Sequence, residues 1–492
     1  MQREEIELEY AVRGWWADDT LSKWLARHVR ERPESRALLY QDQVWTWSGL
    51  AGEVARIARG LAGLGVARGD VVAVQLPNSP EFVFSYLAIA RLGAVMCPLH
   101  MPYRGAEVQA LMRHSGARLA ICLPQSKEMF AGRGLAFAEI EERQPPASHA
   151  EPVAADPFLL LYTSGTTAAP KGVLHAYRTM LGNARLGAPE HGLSERSRVL
   201  CAAPLSHLYG LYSLHCAWAV GACTLLLPAF RPDDLGFLVQ THTPSALWTA
   251  PAHVAACRAS GVFHKYGWSS LELAIVSGSI APPSLIHFLA EKLPGCAVTQ
   301  LWGMTELQAG LYTRPGDPPE MSALSAGRPS PGTEVRLSAE GELEVRGPSV
   351  FSGYLSNPAE SEAAFTADGW FRSGDLAEAR GEYFAITGRT KDLINRGGVK
   401  INPAEVEALL DAHPKILQSA LVPMPDPVLG EKACAFVVLK TPGEPLSLKE
   451  TSAYLLGKNI AKYKLPERLV IVPEMPLTPT RKIIKTRLRI PD

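Results

Sequence analysis

The feature that most constrains the fold is the alternation of short apolar runs with amphipathic stretches along most of the 492 residues. The run at 71–74 precedes a segment with helical spacing at 81–92, and the run at 159–162 precedes a loop rich in Gly, Ser and Thr. The runs at 273–276 and 297–301 also end in small residues. Strands that end in such loops are typical of parallel α/β sheets, which bind ligands at the carboxyl ends of their strands. The pattern therefore predicts an α/β fold with sites in these loops.

The pattern changes towards the C-terminus. Residues 333–337 and 342–346 flank a short turn and predict an antiparallel hairpin. A helix is expected to start at Asn402, with Pro403 in its first turn and Glu405 three positions after the cap. Later apolar runs at 420–422, 435–438 and 469–472 indicate a small α+β unit in the last hundred or so residues. A chain of this length is expected to form two or three domains.

Composition narrows the class of protein. Lys+Arg and Asp+Glu both number 49, so the net charge is zero, which argues against broad nucleic-acid binding. An anionic ligand must then be held by locally placed groups. No apolar run approaches membrane-spanning length and the first residues are charged, so neither a transmembrane helix nor a signal peptide is expected. The eight cysteines form no CxxC pair and are interpreted as reduced core residues of a cytoplasmic enzyme.

The segment 161–172 is the most informative for chemistry. Its hydroxyl residues and glycine are followed by Lys171, so backbone amides, side-chain donors and one ammonium are available to a polyphosphate. The order differs from the Walker loop, in which Gly-Lys precedes Ser or Thr. A flexible Ser/Thr/Gly turn is the structural alternative.

Seven segments together carry a resemblance to a known family. They are residues 161–172, 204–210, 277–282, 301–306, 370–375, 388–398 and 476–483. In sequence and order they resemble the motifs of the adenylate-forming superfamily, which contains acyl- and aryl-CoA synthetases, peptide-synthetase adenylation domains and firefly luciferase. The chain is most similar to the acyl- and aryl-CoA ligases, and the resemblance runs from about Trp45 to the C-terminus.

The resemblance implies a role for each matching residue. Glu306 would ligate Mg²⁺, a hard carboxylate for a hard cation, and Thr305 would hydrogen-bond the α-phosphate of ATP. Trp302 would stack on adenine, and Asp375 would accept hydrogen bonds from the ribose hydroxyls with the help of Arg389. The other implied nucleotide-site residues are Thr163, Ser164, Gly165, Thr166, Thr167, Ser279, Gly303, Met304 and Lys171. The last of these would either contact a phosphate or fix the loop.

The C-terminal motifs imply a catalytic lysine on a moving domain. Lys482 would draw the substrate carboxylate and the α-phosphate together, because the barrier between two anions is largely electrostatic. Lys391 matches the hinge residue about which the family's small domain rotates between adenylation and thiol transfer. Gly397 and Gly398 would allow close approach of pantetheine, with a tight turn as the alternative. The resemblance thus implies a large N-terminal domain of α/β layers with an added β subdomain at 1–390 and a small mobile α+β domain at 391–492.

The predicted activity is ATP-dependent activation of a carboxylic acid as an acyl-adenylate, followed by transfer to coenzyme A. The resemblance implies that segment 205–211 lines the acyl pocket, where amino-acid adenylation domains carry an aspartate for the substrate's ammonium group. This segment contains no carboxylate, which favours a non-amino acid. His207 would line the acyl pocket and gate the approach of the substrate carboxylate as a catalytic residue, or pack as a structural residue. An apolar cavity for an aromatic, alicyclic or medium-chain acid is suggested by Tyr212, Leu214, Trp248, Ile280 and Met304.

Three questions stay open at this point. A separate carrier protein is the alternative thiol, and a non-catalytic nucleotide sensor is the alternative to an enzyme. The oligomeric state, including a homodimer, is not determined. Two departures from the family pattern, Ala168 in the phosphate loop and Arg481 beside the catalytic lysine, both replace a customary glycine.

Overall fold

The computed structural model describes residues 3–141, 151–163, 171–478 and 482–491. Its contacts divide these residues into two compact units. The first contains the described residues up to 335 together with 345–371, and the second contains 336–344 and the described residues from 372 onward. The predicted domain boundary between residues 390 and 391 stays a prediction, because it concerns which residues move together and not which are in contact.

The first unit is built on two sheets. Its strands are β1 (Arg36–Tyr40), β2 (Gln43–Thr46), β3 (Val71–Gln75), β4 (Val95–Pro98), β5 (Leu119–Cys122), β6 (Gly134–Ala136), β7 (Pro157–Tyr162), β8 (Gly172–Ala176), β9 (Arg198–Cys201), β10 (Cys223–Leu226), β11 (Ala246–Thr249), β12 (Leu273–Val276), β13 (Ala297–Met304), β14 (Gln308–Tyr312) and β15 (Arg328–Pro329). One sheet has the order β6-β5-β3-β4-β7-β8 and the other β15-β14-β13-β12-β11-β9-β10-β1-β2.

The helices of the first unit follow the alternation seen in the sequence. They are α1 (Arg3–Val12), α2 (Leu21–Glu31), α3 (Trp47–Gly63), α4 (Pro80–Arg91), α5 (Gly105–Ser115), α6 (Tyr177–Glu190), α7 (Leu208–Val220), α8 (Pro232–His242), α9 (Pro251–Ser260), α10 (Val262–Lys265), α11 (Pro283–Lys292), α12 (Pro319–Leu324) and α13 (Pro358–Ala363). Strands β9, β11, β12 and β13 pair in parallel, which confirms the predicted α/β class.

Helices α4 and α7 form the centre of the first unit. Almost all of their side chains are buried, as expected for helices that are apolar on every face. The largest core cluster joins them to residues of β3, β4 and β9, and therefore to both sheets. A buried hydrogen bond connects the two helices: the Tyr86 hydroxyl lies 2.7 Å from Nε2 of His215.

The remaining strands and helices are found towards the C-terminus. They are β16 (Glu334–Leu337), β17 (Glu342–Arg346), β18 (Phe371–Arg380), β19 (Tyr383–Arg389), β20 (Ile394–Arg396), β21 (Val399–Ile401), α14 (Pro403–Asp411), β22 (Ile416–Asp426), β23 (Gly430–Leu439), α15 (Leu448–Gly457) and β24 (Arg468–Ile471). Strands β16 to β19 form one sheet in that order, which includes the predicted hairpin. Another sheet has the order β21-β20-β23-β22, and β24 pairs with β23. Helix α14 starts as predicted, since the Asn402 side chain accepts a hydrogen bond from the Ala404 amide at 3.2 Å.

The described part of the chain contains no helix that combines the length and the apolar character needed to cross a bilayer. The cysteines lie in the core as predicted: seven are buried and Cys296 is half-buried. Burial raises the pKa of the Cys97 thiol to about 12, so this side chain is an unreactive thiol at neutral pH.

Five buried histidines are expected to make the protein sensitive to acid. Burial lowers the pKa of His28, His100 and His175 to about 4 and that of His191 and His215 to about 3. Each ring stays neutral in the folded state, whereas the unfolded chain binds protons below about pH 6.5. Stability is therefore complete above that pH and falls as the pH decreases towards the folded pKa, by about 1.4 kcal/mol per pH unit for each ring. Thermal unfolding should show a steep decrease in midpoint from about pH 7 to about pH 5. A constant midpoint over this interval would contradict neutral burial.

Candidate functional site

The predicted residues of the first unit follow the carboxyl ends of neighbouring parallel strands. His207 lies six residues after the end of β9, Ser279 three residues after β12, and Thr305 directly after β13. These three strands belong to one sheet, in which β11 lies between β9 and β12. Loops at this edge of a parallel sheet are the expected place for a ligand.

Thr305 and Glu306 form the turn between β13 and β14. The Leu307 amide donates to the Met304 carbonyl at 3.1 Å, and Met304 pairs with Gln308 across the turn. Glu306 is neither on the surface nor at the start of a helix. It lies in a hairpin and is only 6% exposed, because the chain reverses here into an antiparallel strand.

The backbone of this turn depends on Gly303. A Cβ atom at that position would lie 1.8 Å from the Gln308 carbonyl oxygen, so any other residue would force the two strands apart. Gln308 itself adopts a φ of 65°, in the left-handed region that non-glycine residues rarely occupy. The backbone conformation of the turn that carries Thr305 and Glu306 therefore depends on Gly303 and Gln308.

Glu306 is held by the segment that precedes α13. Its Oε1 accepts a hydrogen bond from the Tyr354 hydroxyl at 3.0 Å, and its carbonyl accepts one from the Phe351 amide at 2.8 Å. Burial, together with the Glu306 carboxylate, raises the pKa of Tyr354, so the phenol remains a donor at neutral pH. A buried carboxylate is a suitable ligand for Mg²⁺, because a hard cation prefers hard oxygen ligands.

The two ends of the predicted phosphate loop lie next to each other. The Thr163 amide donates to the Lys171 carbonyl at 3.1 Å. The Lys171 ammonium forms an ion pair with Glu360 and lies 4.9 Å from the centre of the Tyr354 ring. Lys171 and Glu306 therefore both contact Tyr354. Ser164, Gly165, Thr166, Thr167 and Ala168 lie outside the described residues.

The other predicted residues of the first unit differ in exposure. His207 is the N-cap of α7: its Nδ1 accepts from the Tyr209 amide at 3.3 Å, and its ring stacks on His100 with centroids 6.2 Å apart. Trp302 is 8% exposed and packs over Gly310, where a Cβ would approach the indole to 2.6 Å. Ser279 is exposed, and Met304 is half-buried.

Of the five residues expected to line an apolar cavity, three are packed in the core. Tyr212, Leu214 and Trp248 are at most 1% exposed and belong to the main core, whereas Ile280 is 53% exposed. The physical reason is that the first three lie on buried faces of α7 and β11, where neighbouring side chains fill the space around them.

In the second unit, Asp375 and Arg389 are brought together as predicted for a ribose site. They are paired residues of β18 and β19, and Arg389 Nε lies 2.9 Å from Asp375 Oδ1. The Asp375 side chain is 7% exposed and that of Arg389 is 44% exposed. The Ser373 hydroxyl holds the backbone next to this pair. It accepts a hydrogen bond from the Asp375 amide at 3.1 Å and donates one to the Leu343 carbonyl at 2.5 Å.

The predicted hinge and glycine pair lie on either side of β20. Lys391 is exposed in a 3-10 turn, Thr390–Asp392, that connects β19 with β20. Gly397 and Gly398 form the two-residue turn between β20 and β21, with φ of 59° and 90°. Two positive φ values are what a type I′ hairpin requires, so the turn by itself accounts for both glycines.

Lys482 is fixed through its backbone. Its amide donates to Thr478 Oγ1 at 2.9 Å, and its carbonyl accepts from the Thr478 amide at 2.7 Å. The next residue, Ile483, packs against the core cluster that contains Phe436 and Met475. The position of the Lys482 Cα is therefore well defined within its own unit. Arg481 lies outside the described residues.

Sequence reasoning missed the residues that hold the Thr305–Glu306 turn. Tyr354 and Phe351 carry no motif that predicts contact with this turn. His175 also contacts it, and its position three residues after the phosphate loop was the only available signal.

Comparisons with known proteins identify the family of this chain. Residues 25–355 match the family model described as AMP-binding enzyme, and residues 405–482 match the AMP-binding enzyme C-terminal domain. Pseudomonine synthase PmsE of Pseudomonas entomophila (strain L48) is 32% identical, with 98% of this chain and 84% of that protein covered. The medium-chain fatty-acid–CoA ligase of Escherichia coli (strain K12) is 29% identical, with 99% and 93% covered. The o-succinylbenzoate coenzyme A synthetase of Bacillus subtilis, solved with ATP and a magnesium ion, superposes with a TM-score of 0.86 at 26% identity, covering 96% and 100%.

The chain belongs to the AMP-binding enzyme family and is an adenylate-forming ligase. The recognition and the fold class predicted from the sequence are thereby confirmed. The predicted ATP, Mg²⁺ and coenzyme A agree with the names and titles of these relatives.

Proposed function

We propose that the protein is an ATP-dependent carboxylic acid–CoA ligase. It converts an acid and ATP to an acyl-adenylate and pyrophosphate, and then transfers the acyl group to coenzyme A with release of AMP. The observation that carries the proposal is the buried Glu306 beside Thr305 at the carboxyl end of β13. A nucleotide sensor needs no carboxylate held in this way, which disfavours the non-catalytic alternative.

The residues of the Thr305–Glu306 turn fit a magnesium-assisted phosphoryl site. Glu306 would hold Mg²⁺, which neutralises charge on the phosphate oxygens of bound ATP. Thr305 hydrogen-bonds the α-phosphate, and the amides and hydroxyls of the loop from Thr163 to Lys171 bind the outer phosphates. Asp375, oriented by Arg389, accepts from the ribose hydroxyls. Trp302 provides the aromatic surface for adenine.

Lys482 supplies the positive charge of the adenylation step. An oxygen of the substrate carboxylate attacks the α-phosphorus and pyrophosphate leaves. The ammonium group stabilises the charge that accumulates between the two anions. Thiol transfer needs a different arrangement, and the unit that carries Lys482 rotates about Lys391 between the two half-reactions.

The substrate is proposed to be an aromatic, alicyclic or medium-chain acid. The segment 205–211 offers no carboxylate to an amino acid's ammonium group, so burial of that charge would be uncompensated. The second candidate function is loading of a carrier protein. It is supported by the similarity to pseudomonine synthase, at 32% identity over nearly the whole chain.

A pyrophosphate-release screen tests the proposal. Aryl, alicyclic, fatty and amino acids are each supplied with ATP and Mg²⁺, with and without coenzyme A. We expect release with a non-amino acid and formation of its CoA thioester. Release without any CoA thioester would favour the carrier protein, turnover of amino acids alone would favour a peptide-synthetase type, and silence with every acid would contradict a ligase.

Replacing Gly398 with Trp is expected to block thiol transfer and to leave adenylation intact. A Cβ at this position would meet no atom within 4 Å, so the new side chain fits sterically and would obstruct the path proposed for pantetheine. We expect unchanged acid-dependent pyrophosphate–ATP exchange and at least a tenfold loss, roughly, of thioester formation.

Gly443→Trp is the matched control. Gly443 has a φ of 81° and equally open surroundings in the same unit, so it adds the same backbone strain at another place. Equal loss of thioester formation in both variants, or normal transfer in Gly398→Trp, would refute the thiol path.

A further inference from the structure

A histidine outside the recognised motifs contacts the catalytic turn directly. His175 lies on β8 and is 1% exposed. Its Nε2 is 2.6 Å from the carbonyl oxygen of Thr305, which connects β8, in the six-stranded sheet, to the turn at the end of β13 in the nine-stranded sheet.

The protonation state of the ring follows from this contact. A carbonyl oxygen can only accept, so Nε2 carries the proton and donates it. Nδ1 is buried and has no hydrogen-bond partner among the described residues. Burial also lowers the pKa of the ring to about 4, so His175 is a neutral donor at neutral pH.

His175 also lies close to the phosphate loop along the chain. Strand β8 starts at Gly172, directly after Lys171, and its residues pair with β7, which ends where the loop begins. The segment that holds Glu306 joins the same strand: the Leu355 amide donates to the Gly172 carbonyl at 2.7 Å, and Tyr354 bridges to Val173. Strand β8 thus adjoins Lys171, pairs with the segment that holds Glu306, and contacts the Thr305–Glu306 turn through His175.

We propose that His175 is a positioning residue for adenylation, which holds the Thr305 carbonyl so that the Thr305 side chain and Glu306 keep a fixed position at the end of β13. The inference rests on the proposed function. It assigns no contact between His175 and the substrate, and its effect is confined to the half-reaction that uses the phosphates.

The test compares two substitutions at the same position. His175→Phe removes the donor, and we expect kcat of acid-dependent pyrophosphate–ATP exchange to fall by about 10- to 100-fold, as small misplacements of catalytic groups do. His175→Gln places an amide donor near the position of Nε2 and should recover most of that loss. Formation of thioester from preformed acyl-adenylate should be unchanged in both variants.

His28 provides a matched control. It is also 1% exposed, its Nε2 lies 2.6 Å from a backbone carbonyl, that of Trp218, and its Nδ1 has no described partner. His28→Phe should lower the thermal midpoint to an extent similar to that of His175→Phe and leave exchange unchanged.

The outcomes separate the inference from the proposed function. No acid-dependent exchange in the unmodified protein would overturn the proposed function itself. Exchange in the unmodified protein that His175→Phe does not slow, that His28→Phe slows equally, or that His175→Gln fails to restore would overturn the positioning role alone.

Discussion

Replacing Lys482 with Ala is expected to lower acid-dependent pyrophosphate–ATP exchange by about 10²- to 10³-fold, the effect of removing one preorganised group that stabilises charge in a transition state. Conversion of preformed acyl-adenylate to thioester should continue at its normal rate, because that step forms no new bond at phosphorus. Both half-reactions are measured on the same preparation. Equal loss of both would remove Lys482 from its proposed role.

Lys485→Ala is the control for general effects of charge in the basic tail, residues 481–489, which contains five Lys and Arg residues. The Lys485 ammonium lies 2.7 Å from Glu407 Oε1, so its charge already has a partner on α14. Its removal is expected to cost no more than about 1 kcal/mol of stability and to leave exchange nearly unchanged. A large loss of exchange in Lys485→Ala would mean that the whole tail, and not one ammonium group, acts on the reaction.

Replacing Glu306 with Gln is expected to reduce exchange by about 10²-fold and to raise the Mg²⁺ concentration needed for half-maximal rate. The amide has the shape of the carboxylate and can still accept from Tyr354, but it lacks the negative charge that a hard cation requires. The rate is measured over a series of Mg²⁺ concentrations at saturating ATP.

Tyr354→Phe tests the hydrogen bond of Glu306 without changing the charge of its carboxylate. This variant removes the 3.0 Å bond and leaves the carboxylate in place. Loss of one hydrogen bond to a charged group corresponds to roughly 1.5 kcal/mol, or about tenfold in rate. If Tyr354→Phe were as inactive as Glu306→Gln, the carboxylate would act through its position in the packing. An unchanged Mg²⁺ requirement in Glu306→Gln would contradict its role as the metal ligand.

The parts of the fold that depend on local sequence could be predicted. Helix α4 lies within one residue of the predicted segment 81–92, because apolar residues with helical spacing form a buried face whatever their partners. Helix α14 begins at Pro403 after its Asn402 cap, since that hydrogen bond is made within three residues. The predicted hairpin corresponds to β16 and β17 for the same reason.

The contacts of the site could not be predicted in the same way. Glu306 meets Tyr354, 48 residues later, and Thr305 meets His175, 130 residues earlier. Such contacts form only when distant segments pack together, so they cannot be predicted from local sequence propensities. The cavity residues show the opposite error: Trp248 has the character of a pocket residue, yet packing encloses it completely. Apolar character alone does not distinguish a wall of a cavity from a core.

The most direct test of acyl-adenylate formation follows a carboxylate oxygen from the acid into AMP. The acid that turns over in the screen is prepared with an isotopically labelled carboxylate and converted to its thioester with ATP and Mg²⁺, and the AMP is analysed by mass spectrometry. Because a carboxylate oxygen forms the new bond to the α-phosphorus and remains there when the thiol displaces it, the account predicts one labelled oxygen in every AMP formed. Unlabelled AMP, or labelled inorganic phosphate formed together with ADP, would contradict it.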